Sequence, residues 1–391
     1  MTSRPDASAG RALPDFPWDT IAEQAALARA HPDGVVDLSV GTPVDEVPDV
    51  VRAALASAAG EPGYPWTAGT PQLRAAAAAA LARRYGVSGV DADAVLPTIG
   101  SKELVAWLPT LLGVRDGEVV AIPELAYPTY EVGALLAGAR VVRLASCERP
   151  PQGTRLVWLN SPSNPTGRVS PAEELRDAVA AARSVGAVVA ADECYLSLHW
   201  SPGSGEAPGS GEAPVSGEAP GSGEAPVSVL HPSVHGGRLD GVLAVHSLSK
   251  SSNLAGYRAG FVAGDPALVA RLLSVRRHAG MIVPRPVQAA MTAALADDAH
   301  VAAQRDRYAA RRAVLLAAVR AAGFTVDHSE AGLYLWITRG EPCRQTLAWF
   351  AERGVLVAPG DFYGPRGSHH VRLALTATDE RIATAAARLT P

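Results

Sequence analysis

Through the middle of the chain, short apolar runs alternate with longer stretches whose apolar residues recur at helical spacing. Residues 95–99, 118–122, 140–144, 156–159, 187–191 and 242–246 read as strands, and residues 103–112, 129–137 and 171–185 as helices. Strands separated by helical crossovers predict a mostly parallel sheet covered on both faces, which is an α/β architecture. The C-terminal third changes character. Residues 301–322 form a long alanine- and arginine-rich helical pattern, and short extended pieces then alternate with helices at 344–353 and 379–389. That grouping predicts a second, smaller α+β domain.

One stretch breaks the pattern. Residues 203–226 are four copies of a six-residue unit, GSGEAP, GSGEAP, VSGEAP and GSGEAP. The unit offers an alanine and a proline to any core, so it is expected to form a flexible acidic loop rather than a solenoid.

Composition narrows the class of protein. A length of 391 residues with 48% hydrophobic content accommodates two or three domains with large cores. A net charge of −4 implies no basic face for nucleic acid. The apolar runs fall short of a membrane span, and the first 13 residues lack a signal-peptide pattern. Cys147, Cys194 and Cys343 are odd in number and scattered, which argues against disulfides or a zinc site and fits a reducing cytoplasm.

Charge type then points to chemistry. Of 35 basic residues only Lys102 and Lys250 are lysines. Codon bias explains the arginine excess but not the neighbourhoods of the two lysines. Lysine can lose its proton and form an imine with a carbonyl, which arginine cannot. Lys250 follows Ser247-Leu248-Ser249 and precedes Gly256-Tyr257-Arg258, where Ser247, Ser249 and Arg258 form a candidate phosphate site. Gly100-Ser101-Lys102-Glu103 follows a strand and opens a helix, a setting suited to phosphate, although Ser101 before Glu103 also fits an ordinary cap.

Three further stretches stand at strand ends or within strands. Asn160-Ser161-Pro162-Ser163-Asn164-Pro165-Thr166-Gly167 is a rigid turn that can aim the Asn164 amide at a hydroxyl or phenolate. Ala190-Ala191-Asp192-Glu193-Cys194-Tyr195 ends an apolar strand in a carboxylate, which is costly to bury unless it meets a cationic nitrogen. Val371-Arg372-Leu373-Ala374 sets an arginine in an apolar run, as a carboxylate clamp would need. Phosphate donors, one lysine, a carboxylate, a phenol and a carboxylate clamp are the parts of a pyridoxal phosphate site. The lysine forms an imine with the aldehyde, the carboxylate keeps the pyridine nitrogen protonated, and phenol and amide bond the ring oxygen.

With these stretches together, the chain from about residue 36 to its C-terminus resembles the fold-type I, class I/II pyridoxal-phosphate-dependent aminotransferases. The resemblance implies that Lys250 carries the cofactor and Asp192 is the pyridinium partner. It implies that Tyr195 and Asn164 contact the ring oxygen, and that Ser101, Ser247, Arg258 and the amide of Lys102 bind phosphate. Tyr127, in Ala126-Tyr127-Pro128-Thr129-Tyr130, matches the aromatic stacked on the ring. Arg372 matches the α-carboxylate arginine, and Gly41 in Val40-Gly41-Thr42-Pro43 matches the backbone facing the substrate. Tyr64, ahead of Gly69-Thr70-Pro71, matches a tyrosine that reaches the other subunit's phosphate, which implies a homodimer with shared sites. The implied organisation is an N-terminal arm with part of the small domain (1–44), a large cofactor-binding domain (45–280, with the repeat inserted) and a small C-terminal domain (281–391).

The runs at 13–18, 31–43, 330–336 and 358–364 are similar to actinobacterial N-succinyldiaminopimelate aminotransferases. They imply a place in lysine and diaminopimelate biosynthesis, with glutamate as amino donor. An aminotransferase for aspartate, an aromatic amino acid or alanine is the nearest alternative, followed by a carbon–sulfur lyase. A pyridoxal-phosphate-sensing regulator is a third, although the first 30 residues are too few and insufficiently basic for a DNA-binding domain. Arg285 and Arg366 are candidates for the distal end of the substrate, and a solvated surface position accounts for either equally well.

Overall fold

The computed structural model of the protein describes residues 13–146, 148–200 and 225–389. The repeat expected to form a flexible loop lies outside them except for its last two residues, as does Cys147.

The strands in chain order are β1 (Val36–Asp37), β2 (Val95–Ile99), β3 (Val119–Pro123), β4 (Arg140–Leu144), β5 (Thr154–Asn160), β6 (Val188–Asp192), β7 (Val242–Ser247) and β8 (Ala259–Gly264). Strands β2 to β8 form a seven-stranded sheet in the order β2-β8-β7-β6-β5-β3-β4. Only β8 runs against the rest, pairing antiparallel with both β2 and β7. The apolar strands follow the period of two expected of a doubly covered sheet. Leu243 and Val245 join Leu156, Trp158, Leu104 and Leu108 in a core on one face, while Val242 and Ala244 join Val157, Val189, Leu81 and Val179 on the other.

The later strands are β9 (Thr325–Val326), β10 (Tyr334–Thr338), β11 (Val355–Leu356), β12 (Ala358–Pro359) and β13 (Val371–Ala374). A four-stranded antiparallel sheet takes the order β12-β13-β10-β9, and β1 pairs parallel with β11. Ile21, Leu38, Leu315, Leu335, Phe350 and Leu373 share its core, so the N-terminal segment packs with the C-terminal third.

Most expected elements occur within a few residues of their predicted bounds. The helix expected from residue 103 spans Gly100–Leu111, and the long one spans Ala299–Ala321. The sequence reading did not anticipate β8 or the helices Pro71–Tyr85, Pro266–His278 and Arg285–Ala296. A polar chain links the two parts of the molecule. Asn253 donates to Gln304, Gln304 donates to Asp45, and Arg311 bridges Asp45 and Asp379.

Candidate active site

The sheet register assembles the first group. Ile99 pairs with Ala259, and Ser247 pairs with Gly260, so the ends of β2 and β7 meet the start of β8. That edge gathers Ser101, Ser247 and Arg258. Gly100 has φ +71, and a Cβ there would lie 2.3 Å from Nη2 of Arg258. The turn therefore requires glycine both for its left-handed backbone and for the guanidinium packed against it. Arg258 is itself left-handed at φ 55, and its Nη1 donates to the Ala255 carbonyl at 2.8 Å. The Ser247 hydroxyl caps the short helix Leu248–Ser251 by accepting from the Ser249 amide. A helix N-terminus, two hydroxyls and a guanidinium make a donor set suited to a phosphate. The Lys102 ammonium points away, 5.9 Å from the Phe16 ring centroid, which leaves its backbone amide as the group at that helix start.

The second group stands where β5 and β6 end side by side. Asp192 is 4% exposed. It accepts from the Tyr130 hydroxyl at 3.0 Å and from the Cys194 thiol at 2.7 Å, and forms no ion pair among the described residues. Burial pushes its carboxyl above the ordinary value, and its hydrogen bonds oppose that shift. A buried carboxylate with donors but no cation suits a protonated ring nitrogen. The Asn160 side-chain amide donates to the Asp192 carbonyl at 2.9 Å, and its oxygen accepts from the Asn164 backbone N–H at 2.7 Å. The turn holding Asn164 is thereby tied to the strand that holds Asp192. The Tyr127 ring meets Tyr130 edge-on at 5.8 Å, and Tyr130 stacks on Trp158 at 4.8 Å. Burial raises the Tyr127 hydroxyl to about 12, with Asp192 adding to the rise.

Glu193 turns the other way. It accepts from the Val229 amide at 2.6 Å and the Ser228 hydroxyl at 2.7 Å, and faces His246 at 3.4 Å. Burial raises its carboxyl to about 8 and lowers His246 to about 3, so both are neutral at pH 7.

The third group comes from the C-terminal sheet. Arg372 is 3% exposed. It donates to Asn164 Oδ1 and to the Ser39 carbonyl, each at 2.8 Å, while its Nε has no partner. Its guanidinium lies 3.8 Å from the Tyr334 ring centroid and 5.0 Å from that of Tyr363. The Tyr334 hydroxyl is 3.1 Å from that of Tyr195, and a Cβ on Gly41 would lie 2.1 Å from it. The Lys250 ammonium donates to the Gly41 carbonyl.

These contacts run unbroken from Asp192 through Asn160, Asn164, Arg372, Tyr334 and Gly41 to Lys250. The donor set fits pyridoxal phosphate: phosphate donors at one end, a buried carboxylate for the ring nitrogen, and a lysine on the short helix that Ser247 caps. Tyr64 stands apart from the cluster, 92% exposed, with its carbonyl accepting from Arg285. Arg285 pairs with Glu61 and Arg366 with Glu124, and the latter arginine is largely exposed. Tyr130, Cys194, Asn160 and Tyr334 were not singled out in the sequence. Each lies inside or beside a quoted motif, but only the folded chain shows what its side chain touches. Among the described residues no group of His, Cys, Asp and Glu is set to hold a metal, and no helix is long and apolar enough to cross a membrane.

Known proteins resemble this chain along nearly its whole length. Residues 33–389 match the family described as aminotransferase class I and II. The chain is 61% identical to a probable aminotransferase, Rv1178, of Mycobacterium tuberculosis, over 97% of this chain and 85% of that protein. It is 57% identical to the 4-dedimethylamino-4-oxo-anhydrotetracycline transaminase OxyQ of Streptomyces rimosus, over 97% of this chain and 100% of that protein. A solved aminotransferase structure from Neisseria meningitidis, 29% identical, superposes with a TM-score of 0.81 and covers 96% of this chain and 97% of that one.

Proposed function

The chain belongs to the class I and II aminotransferases, and on that premise we propose that the cluster around Asp192, Lys250 and Arg372 is its active site, working within a homodimer. The family depends on pyridoxal phosphate and moves amino groups between amino acids and keto acids. When bound, the cofactor supplies an aldehyde that takes up the amino group and a ring that accepts electrons.

In this reading Ser101, Ser247, Arg258 and the Lys102 amide hold the phosphate, with Tyr64 reaching it across the dimer interface. Asp192 pairs with the ring nitrogen, Tyr127 lies against the ring, and Tyr195 and Asn164 meet its oxygen. Lys250 holds the cofactor and, once released, moves the proton at the substrate Cα. Arg372 fixes the α-carboxylate beside the backbone of Gly41. The observation that carries the reading is the buried Arg372 guanidinium. It has two neutral acceptors, no carboxylate partner among the described residues and an unpartnered Nε, and Asn164 links it to the Asp192 strand end. We take residues 1–44 and 281–391 as the smaller unit and 45–280 as the cofactor-binding one, although Val287, Met291 and Leu295 of the helix Arg285–Ala296 pack in a core of the seven-stranded sheet.

The substrate proposed is N-succinyl-LL-diaminopimelate, with 2-oxoglutarate and glutamate as the exchanging pair. It rests on the motif runs at 13–18, 31–43, 330–336 and 358–364. A second reading, amination of a polycyclic ketone, is favoured by the 57% identity that spans the whole of OxyQ. A screen of donors and acceptors by the cofactor's absorbance change separates them. N-succinyl-LL-diaminopimelate should convert the cofactor faster than aspartate, alanine or phenylalanine. Faster conversion with another amino acid removes the pathway assignment, and release of ammonia and a thiol from a cysteine conjugate would favour the carbon–sulfur lyase.

A further inference from the structure

Tyr334 meets this site with two different parts of its side chain, ring and hydroxyl. It lies on β10, is 4% exposed, and pairs with Ala374 two residues beyond Arg372. Its ring lies under the Arg372 guanidinium at 3.8 Å. Its hydroxyl is 3.1 Å from the Tyr195 hydroxyl. That hydroxyl also occupies the space a side chain at residue 41 would need, since a Cβ there would fall 2.1 Å away, and the Gly41 carbonyl accepts from Lys250.

The two contacts constrain different motions. Hydrogen bonds to Asn164 and the Ser39 carbonyl fix the guanidinium within its plane, but they leave it free to tilt. A stacked ring resists that tilt, and a desolvated cation gains most from such a face. The hydroxyl pair carries two protons, one per phenol. For Tyr195 to donate toward a ligand, Tyr334 has to donate to Tyr195. Burial drives the Tyr195 hydroxyl upward, which favours the form that can donate.

We propose that Tyr334 is a positioning residue with two separable roles: its ring holds Arg372 flat for the substrate carboxylate, and its hydroxyl directs the Tyr195 proton toward the cofactor oxygen. This rests on the reading above, in which Arg372 receives the carboxylate and Tyr195 meets that oxygen. It makes residue 41 a dependent position, since any side chain there displaces the Tyr334 hydroxyl.

The test divides the ring from the hydroxyl in the cofactor-loaded enzyme, with Arg372→Ala and Tyr195→Phe measured alongside. Tyr334→Phe keeps the ring. It should leave the KM for the amino donor within about two-fold, while raising the pH midpoint of the bound cofactor's absorbance change by about half a unit. The direction follows because a donor to the ring oxygen favours the deprotonated form. Tyr334→Leu should show the same rise and also increase KM by about ten-fold or more. An unchanged midpoint in Tyr334→Phe, with a shift in Tyr195→Phe, overturns the hydroxyl role. An unchanged KM in Tyr334→Leu, with a rise in Arg372→Ala, overturns the ring role. If Arg372→Ala leaves KM unchanged or Tyr195→Phe leaves the midpoint unchanged, the site reading itself fails. If Tyr334→Leu does not fold, Tyr334→Phe still decides the hydroxyl role. Tyr334→Met, closer in volume but without the aromatic face, then decides the ring role, since a KM left at its original value would overturn it.

Discussion

Asp192 and Arg372 stand on different sheets, and each is a buried charge with no opposite charge beside it among the described residues. The wall at the end of β6 offers Asp192 hydrogen-bond donors: a phenol, a thiol and the Cys194 amide. The wall on β13 offers Arg372 two neutral acceptors and two aromatic faces. The difference follows from what each group can do with its charge. A carboxylate relieves burial by taking a proton, and burial does raise Asp192 toward that outcome. A guanidinium keeps its charge under all ordinary conditions, so its wall has to accommodate the charge permanently. One wall can therefore adjust its protonation as a ligand arrives, while the other is fixed in charge and must be fixed in geometry.

Removing each charge probes this contrast, and the anionic wall is expected to show the larger effect. Asp192→Ala should slow turnover by at least about a thousand-fold, or about 4 kcal/mol, with the circular dichroism spectrum retained. Turnover within ten-fold of the original enzyme would remove Asp192 from its role. Arg372→Lys keeps the cationic charge but loses the planar fork. KM for an α-amino donor should rise about a hundred-fold with a smaller change in kcat. An unchanged KM would mean that charge alone suffices and the aromatic faces serve another purpose.

The neutral pair behind the anionic wall sharpens the comparison through pH. Glu193 is raised to about 8, so the stability tied to its protonated form is present below its ordinary 4.5 and is lost as pH rises toward 8. His246 is lowered to about 3, so its contribution is present above its ordinary 6.5 and is lost as pH falls toward 3. The Asp192 charge adds to the rise of Glu193, and the Arg84 charge adds to the fall of His246. Glu193→Gln should remove the alkaline limb alone. Its Tm relative to the original protein should climb by several degrees between pH 5 and 8, and a gap that stays constant with pH would show that Glu193 does not titrate there. The smallest effect is expected from deleting residues 203–224. On composition alone the deletion should change stability by about 0.6 kcal/mol or less, read as a shift in Tm of about 2 °C with turnover unchanged. A larger fall in either would tie the repeat to one of the walls.

How much of this was legible in the sequence depended on the kind of signal each region carried. Apolar strands such as Val242–Ser247 announced themselves because they open on an unbroken apolar run, here Val-Leu-Ala-Val. Strand β8 did not, because Ala-Gly-Phe-Val-Ala-Gly contains one β-branched residue and two glycines, and its partners on both sides supply the stability that its own propensity lacks. The helix Pro71–Tyr85 is largely alanine and offers little contrast between its faces. Asp192 and Arg372 were readable because each is a charged group in an apolar run, and Lys250 because it is one of only two lysines and stands among serines. Tyr334 and Tyr130 were not, since a tyrosine in an apolar run looks like any core aromatic until its hydroxyl is seen to meet another polar group.

The reversed strand β8 has a consequence for where this chain can change length. Parallel neighbours such as β6 and β7 must be joined by a connection that travels back the full length of the sheet, and such a path has slack at no cost to the ladder. The repeat lies in that connection. Antiparallel neighbours β7 and β8 are joined at one end of the sheet by residues 248–258, and the pairing of Ser247 with Gly260 fixes both ends of that segment. Lys250 and Arg258 sit on that short return, where one inserted residue would put lysine and guanidinium out of step. Strand polarity thus divides the chain into stretches open to expansion during descent and stretches that are closed to it.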